Sequence, residues 1–284
     1  ALSLNNLAVL YDKQGRYGVA EPLYRRSLEM REKVLGPNHR DVGTSLNNLA
    51  FMYRKQGRYG EAEPLQRRAL AIRETALGPD HPDVGASLID LAMLYSLQGR
   101  YGEAEPLFKR DLAIREKALG AGHGEVAESL NNVAAMYYHQ GRYSDAEPLY
   151  KRSLAIREKA FSTDHQKVSQ SLNNLALLYQ AQGRYGESEQ LYMRDLAIEK
   201  KRVGPDHPDV GTSLNNLALL YQAQGRYGDA ERFYKRSLAI FEKALAPNHP
   251  HFRRSINNLA ELYQAQGRYG EAEQLHQRAL AIRE

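Results

Sequence analysis

The sequence predicts an all-α fold, a solenoid of tandem helix–turn–helix repeats, and three observations carry that expectation. The serine that opens "SLNNLA" and its variants falls at Ser3, Ser45, Ser87, Ser129, Ser171, Ser213 and Ser255, so every interval is 42 residues with no insertion or deletion. Within each period apolar residues recur at three- and four-residue steps, the spacing of one helix face. Between the apolar runs stand glycine- and proline-bearing segments of the kind that stop one helix and start the next. The 16 residues Ser171–Gly186 even return unchanged at Ser213–Gly228. One helix pair cannot bury its own apolar face, but stacked pairs cover one another, so the same residues serve in every copy.

The elements of a unit follow in order, with that serine as repeat position 1. In the fifth unit the first helix places Leu172, Leu175, Leu178 and Tyr179 on one face, with the small Ala176 beside them. "QGRYG" then breaks the pattern, and a second run follows at Leu191, Tyr192, Leu196 and Ile198. Ser144 and Glu147 have the Ser-x-x-Glu spacing of a capping box, which predicts that the second helix of the fourth unit starts on Ser144. Pro22, Pro64, Pro106 and Pro148 are expected early in second helices, where a missing N–H costs least; Gln190, Arg232 and Gln274 replace them later. A "GPDHPD"-type segment closes the unit, its glycine suited to the end of one helix and its proline to the first turn of the next. Six full units and most of a seventh fill residues 1–284 as a single repeat array without a linker. Each leucine buried between units contributes roughly 1.5–3 kcal/mol before entropy is charged against it.

Composition narrows the function classes. Hydrophobic residues make up 42% of the 284, enough for a core, yet no apolar run approaches the ~20 residues of a membrane-spanning helix. Cysteine is absent, so no disulfide framework and no thiol chemistry are available. The net charge of +5, from 39 basic and 34 acidic residues on a mixed surface, gives little reason to expect a nucleic-acid or membrane partner. No cofactor is implied, and a cytoplasmic location is the expectation, although the missing signal-like segment says little in a chain that starts at Ala1 without Met.

At this point the residues carry a family resemblance. "NNLALLYQAQGRYGEAEPLYKRSL" resembles a tetratricopeptide repeat, with Ala176 at its small first-helix position, Tyr179 at the aromatic one turn later and Tyr185 in its turn. The 42-residue unit, with "LNNLA", "GRY-EAE" and "LGPDHPDV", is similar to the repeats of kinesin light chains and their bacterial relatives. The resemblance implies a right-handed superhelical solenoid whose groove is lined by repeat positions 42, 4, 7 and 11 of the first helices. Those spacings form one helical stripe, so the assignment is physically coherent.

On that stripe stands a ladder of Asn6, Asn48, Asp90, Asn132, Asn174, Asn216 and Asn258. An amide offers donors and an acceptor, so it can hold the backbone of an extended peptide; the competing role is to bond the neighbouring helix. Position 7 varies through Phe51, Met93 and Leu177, and position 11 through Lys55, Leu97 and His139, which would supply specificity. The groove expected from these positions comprises Asn48, Phe51, Lys55, Asp90, Met93, Leu97, Asn132, His139, Asn174, Leu177 and Asn216. The expected partner is a protein or an extended peptide. Alternatives are a structural unit that stacks end to end through Leu4, Leu7 and Tyr11 at the front and Leu280 and Ile282 at the back, and a sensor array within a larger signalling protein.

Three other patterns are explained by the repeat. His39, His81, His123, His165, His207 and His249 recur at one loop position. Equivalent loops stand too far apart to share an ion whose ligands must lie within ~2.0–2.3 Å, so capping or loop packing is expected, not metal binding. Arg26, Arg68, Arg110, Arg152, Arg194, Arg236 and Arg278 form a second-helix row that is expected to be solvated or paired. Glu63–Arg67 and Glu105–Lys109 have the favourable i,i+4 order. No nucleophile with a base, phosphate-binding glycine loop or isolated carboxylate pair stands apart from the repeat, so an enzyme is not expected.

Overall fold

The computed structural model describes residues 1–162, 164–246 and 249–281, and among them it places fourteen α-helices and no strand. Contacts divide the chain into two compact units, Ala1–Gly141 and Arg142–Glu284. The first holds α1 (Leu2–Lys13), α2 (Tyr17–Leu35), α3 (Arg40–Lys55), α4 (Tyr59–Leu77), α5 (Pro82–Leu97), α6 (Tyr101–Leu119) and α7 (Gly124–His139). The second holds α8 (Tyr143–Ala160), α9 (Gln166–Ala181), α10 (Tyr185–Val203), α11 (Pro208–Ala223), α12 (Tyr227–Ala244), α13 (Pro250–Ala265) and α14 (Tyr269–Ala281). Odd-numbered helices are the first helices of the repeats and even-numbered ones the second. Within each unit an odd helix packs on the even helix that follows it and on the one before.

The expected packing is present in the helix pairs that lie within one unit. Ala50 of α3 and Ala62 of α4 are fully buried, as are Ala92 and Ala104 one repeat later, so small side chains let the paired helices approach closely. Leu46, Leu49 and Met52 close the core around them. In the second unit Val210, Leu214, Leu217, Tyr234 and Phe241 join Phe252 and Ile256 in one buried cluster.

The two connections of a repeat have different chemistry. The tight turn needs a residue in the left-handed region: Gly57 has φ +73° in it, and Arg58 N–H then donates to the Tyr53 carbonyl at 2.9 Å. Only glycine adopts that backbone cheaply. In the longer loop each histidine is the N-cap of the next first helix. Nδ1 of His39, His81, His123, His165, His207 and His249 accepts the backbone N–H two residues on, at 3.1–3.3 Å. The histidine ladder is therefore a ladder of caps, each satisfying one of the donors a helix start leaves unpaired.

Two expectations are corrected. Ser144 does not cap α8: the helix starts at Tyr143 behind Arg142, with no side-chain cap bond, and Glu147 instead bonds Lys151, Tyr179 and Arg184. The competing partners across the repeat boundary win the carboxylate. Pro22, Pro64 and Pro106 lie deeper than the first turn, since α2 already begins at Tyr17, α4 at Tyr59 and α6 at Tyr101. Each removes one i→i−4 bond inside a helix that tertiary packing sustains.

Candidate functional site

The stripe of the first helices is held in register by a polar junction that repeats at the boundaries. In the first unit Tyr53 Oη donates to Glu21 Oε1 at 2.7 Å, and Arg58 Nη1 donates to Glu21 Oε2 at 2.7 Å. The Arg58 guanidinium lies 4.1 Å from the Tyr53 ring centre and also pairs with Glu61 at 2.6 Å. Glu63, Tyr95, Arg100 and Glu103 repeat the set, as do Glu147, Tyr179, Arg184 and Glu187, and Glu231, Tyr263, Arg268 and Glu271. The hydrogen bond from Arg58 holds the Glu21 carboxyl down at about 2, and that from Arg268 does the same for Glu231. Burial works against ionisation at Glu147, but Lys151 and Arg184 still pull it down to about 2. The arginine of "QGRY", passed over in the sequence, thus locks a repeat to the one before it within each unit.

The asparagine ladder divides by what precedes each member. Asn48 Nδ2 donates to Asn5 Oδ1 at 3.0 Å, Asn216 to Asn173 at 3.0 Å, and Asn258 to Asn215 at 2.9 Å. These amides spend a donor on the first helix of the preceding repeat. Asn132 cannot, because Ile89 stands where its asparagine partner would be. Its amide instead lines a pocket. Asp90 lies 4.0 Å from Arg54, and Lys55 Nζ is held by Asp12 at 3.0 Å.

That pocket, of about 360 Å³, lies among α5, α6 and α7. Met93 and Leu97 come from α5, Phe108 from α6, and Asn132, Ala135 and His139 from α7. Met93 is 40% exposed and Leu97 55%, while Phe108 is buried and forms the floor. Ser96 also lines it, with its hydroxyl committed to the Ala92 carbonyl at 2.9 Å. Four residues chosen from the stripe, Met93, Leu97, Asn132 and His139, therefore meet around one cavity. Phe51 of α3 is exposed outside it, its ring centre 4.9 Å from the Arg54 guanidinium and 4.9 Å from Lys55 Nζ. Asn174 and Leu177 lie on α9 and Asn216 on α11, in the second unit, where Leu177 is exposed. The sequence reading missed Phe108; its signal was the aromatic that second helices carry at that register, as Tyr24, Tyr192 and Tyr234 do.

The other rows resolve into structure. Arg68 pairs with Glu32 at 2.5 Å and Arg110 with Glu74 at 2.6 Å, each also donating to the carbonyl of a loop proline, so these arginines tie second helices together. The expected Glu63–Arg67 and Glu105–Lys109 pairs form at 2.8 and 2.6 Å. Among the described residues no cluster of three His, Cys, Asp or Glu side chains could hold a metal ion, and no helix is long and apolar enough to cross a membrane. Leu2, Leu7 and Leu10 of α1 are exposed, as is Leu280 of α14, while Ile282 lies outside the described residues.

Comparison with known proteins agrees with this architecture. A family model described as the tetratricopeptide repeat matches residues 1–75, 41–117, 98–159, 125–201, 167–243 and 209–284. The crystal structure of nearly identical TPR-like repeats of a kinesin light chain-like protein from Podosopora anserina is 32% identical, with a TM-score of 0.61 over 72% of this chain and 96% of that one. BtubC (BKLC) from P. vanneervenii is 23% identical, with a TM-score of 0.62 over 81% of this chain and 90% of that one. The apo form of the quorum sensor NprR from B. thuringiensis is 18% identical, with a TM-score of 0.73 over 99% of this chain and 75% of that one. At the last two levels of identity the likeness concerns the fold alone.

Proposed function

The chain belongs to the tetratricopeptide repeat family, whose members are typically protein-interaction scaffolds, and from that premise we propose that it holds an extended peptide segment of a partner protein along its first-helix stripe. The unbroken 42-residue period supports reading residues 1–284 as one repeat array. The observation that carries the peptide reading is Asn132. Its amide is released from packing by Ile89 and stands beside an apolar cavity of about 360 Å³. An apolar side chain of the ligand enters between Met93, Leu97 and Phe108, while the Asn132 amide bonds the ligand backbone. Such an anchor in a pocket, with a few polar groups fixing orientation, is how small concave sites bind.

The test starts from peptides selected by phage display against the full chain. Ala135→Trp, which fills the cavity, and Leu97→Asp, which charges it, are each expected to weaken a selected peptide at least ~10-fold, about 1.4 kcal/mol or more. Asn132→Ala should cost about 1 kcal/mol, the scale of one hydrogen bond. Arg110→Ala, on the paired second-helix row, should leave affinity unchanged. Equal losses from Arg110→Ala and Leu97→Asp would place binding elsewhere on the protein.

A further inference from the structure

One repeat before the pocket lies a second subsite of opposite character, and we propose that it reads a neutral side-chain amide, Asn or Gln, of the same peptide; this rests on the pocket reading above. Subtracting one 42-residue period carries Phe108, Ser96, Met93 and Asn132 onto Gln66, Arg54, Phe51 and Asp90. The floor aromatic is thereby exchanged for a glutamine. Gln66 is only 1% exposed, and neither its Oε1 nor its Nε2 has a hydrogen-bond partner.

The same register in the second unit shows what the pair does elsewhere. Tyr234 Oη donates to Gln222 Oε1 at 2.9 Å, and Gln264 and His276 stand 3.2 Å apart, each pair separated by 12 residues. Gln66 and Arg54 share that separation but do not bond. Arg54 is nearly buried, and its Nη1 has no partner either, although Nη2 lies 4.0 Å from Asp90. Buried polar atoms are almost always paired. The three unpaired atoms at this register are the groups that the proposed ligand would satisfy.

The chemistry of the orphans selects the ligand. Arg54 Nη1 and Gln66 Nε2 donate, whereas Gln66 Oε1 and Asp90 accept. A carboxamide offers both an acceptor and donors, so it can satisfy both kinds. Arg54 and Lys55 balance Asp12 and Asp90, leaving no net charge to attract an ion. A carboxylate would face Gln66 Oε1 and Asp90, and an ammonium would face Arg54. Because Gln66 is buried, the proposal requires side chains above it to move when the amide enters, and the exposed Phe51 and Lys55 are free to do so. Neighbouring helices pack ~8–10 Å apart, and an extended chain advances ~3.3 Å per residue. The apolar anchor and the amide residue are therefore about three residues apart.

The experiment uses the full chain and fluorescein-labelled nonapeptides with one fixed leucine in an alanine–serine background. Gln, Asn, Glu, Lys or Leu is placed two to four residues to either side, and binding is read by fluorescence anisotropy. Gln or Asn at one of these positions should bind about tenfold more tightly than Glu, Lys or Leu. Gln66→Tyr installs the residue that Tyr24, Tyr150, Tyr192 and Tyr234 place at this register, and Gln66→Phe that of Phe108. Either, shown by circular dichroism to be folded, should keep leucine-dependent binding and lose the amide preference. With leucine dependence intact, a preference for Glu or Lys, no preference, or a preference that survives both variants overturns the amide subsite and leaves the pocket standing. Absence of leucine-dependent binding removes the pocket reading and the subsite with it.

Discussion

At the scale of single residues, two aspartates at one register are both pushed up by burial but have different partners. Asp111 is fully buried, but Arg115 donates to it at 2.8 Å, as does the Ser129 hydroxyl at 2.5 Å. Asp195, one unit of two repeats later, bonds the hydroxyls of Ser169 and Ser213, and Glu199 stands where Arg115 would be. Burial pushes the Asp195 carboxyl up to about 6, with the two serines opposing and Glu199 and Asp209 adding to the rise. A carboxyl raised in the folded state stabilises most below its unfolded value of ~3.9, and that contribution disappears as pH rises through the folded value. Asp195→Asn should therefore gain on the parent between pH 4.5 and 7.5, by roughly 1–3 kcal/mol in urea denaturation. An identical difference at both pH values would contradict this. Glu21, Glu147 and Glu231, held down at about 2, work in the opposite sense: they stabilise above ~4.3 and fail as pH falls towards 2, so parent and variant should weaken together there.

At the scale of helices, each loop histidine is worth one helix start. His81→Ala leaves the Asp83 N–H, now 3.1 Å from Nδ1, without its acceptor and should cost ~1 kcal/mol in urea unfolding; His81→Asn, which can accept the same bond, should recover most of it. An equal cost for both would assign the histidine to packing instead. Helix pairs and turns were legible in the sequence because periodicity and glycine placement are local signals, whereas the histidines left capping and loop packing open. Met93, Leu97, Asn132 and His139 were legible as a stripe because the family resemblance points to those repeat positions and their spacing keeps them on one face of α5 and of α7. What was not legible is relational. That Asn132 is released while Asn48 is engaged depends on residue 89 of the preceding first helix, and that Glu147 abandons Ser144 depends on Arg184, 37 residues on. Gln66 reads as an ordinary polar residue until its burial is seen. The close approach of α6 to Gly85 of α5 is likewise visible only in three dimensions: a Cβ there would lie 2.4 Å from Asp111 Oδ1, although Ser169 occupies the equivalent place beside Asp195.

At the scale of the whole molecule, each repeat touches chiefly its neighbours, so damage should stay local. Ile114→Ala, which empties a buried site between α5 and α6, should cost about 2–5 kcal/mol. Native-state hydrogen exchange should show lost protection in α4 to α7 and unchanged protection in α11 to α13. Uniform loss throughout would mean that the chain unfolds as one cooperative body. The polar junction between repeats has a consequence for how such a chain changes over generations. Its acceptor, the glutamate of the Glu21 series, belongs to one repeat, while the tyrosine and arginine of the Tyr53–Arg58 series belong to the next. All seven copies carry all three residues, from Tyr11, Arg16 and Glu21 to Tyr263, Arg268 and Glu273. Any repeat can therefore follow any other with its coupling already made. Unequal crossing-over that inserts or deletes 42 residues leaves every joint closed, so the array can lengthen, shorten or reshuffle its binding positions without a compensating mutation elsewhere.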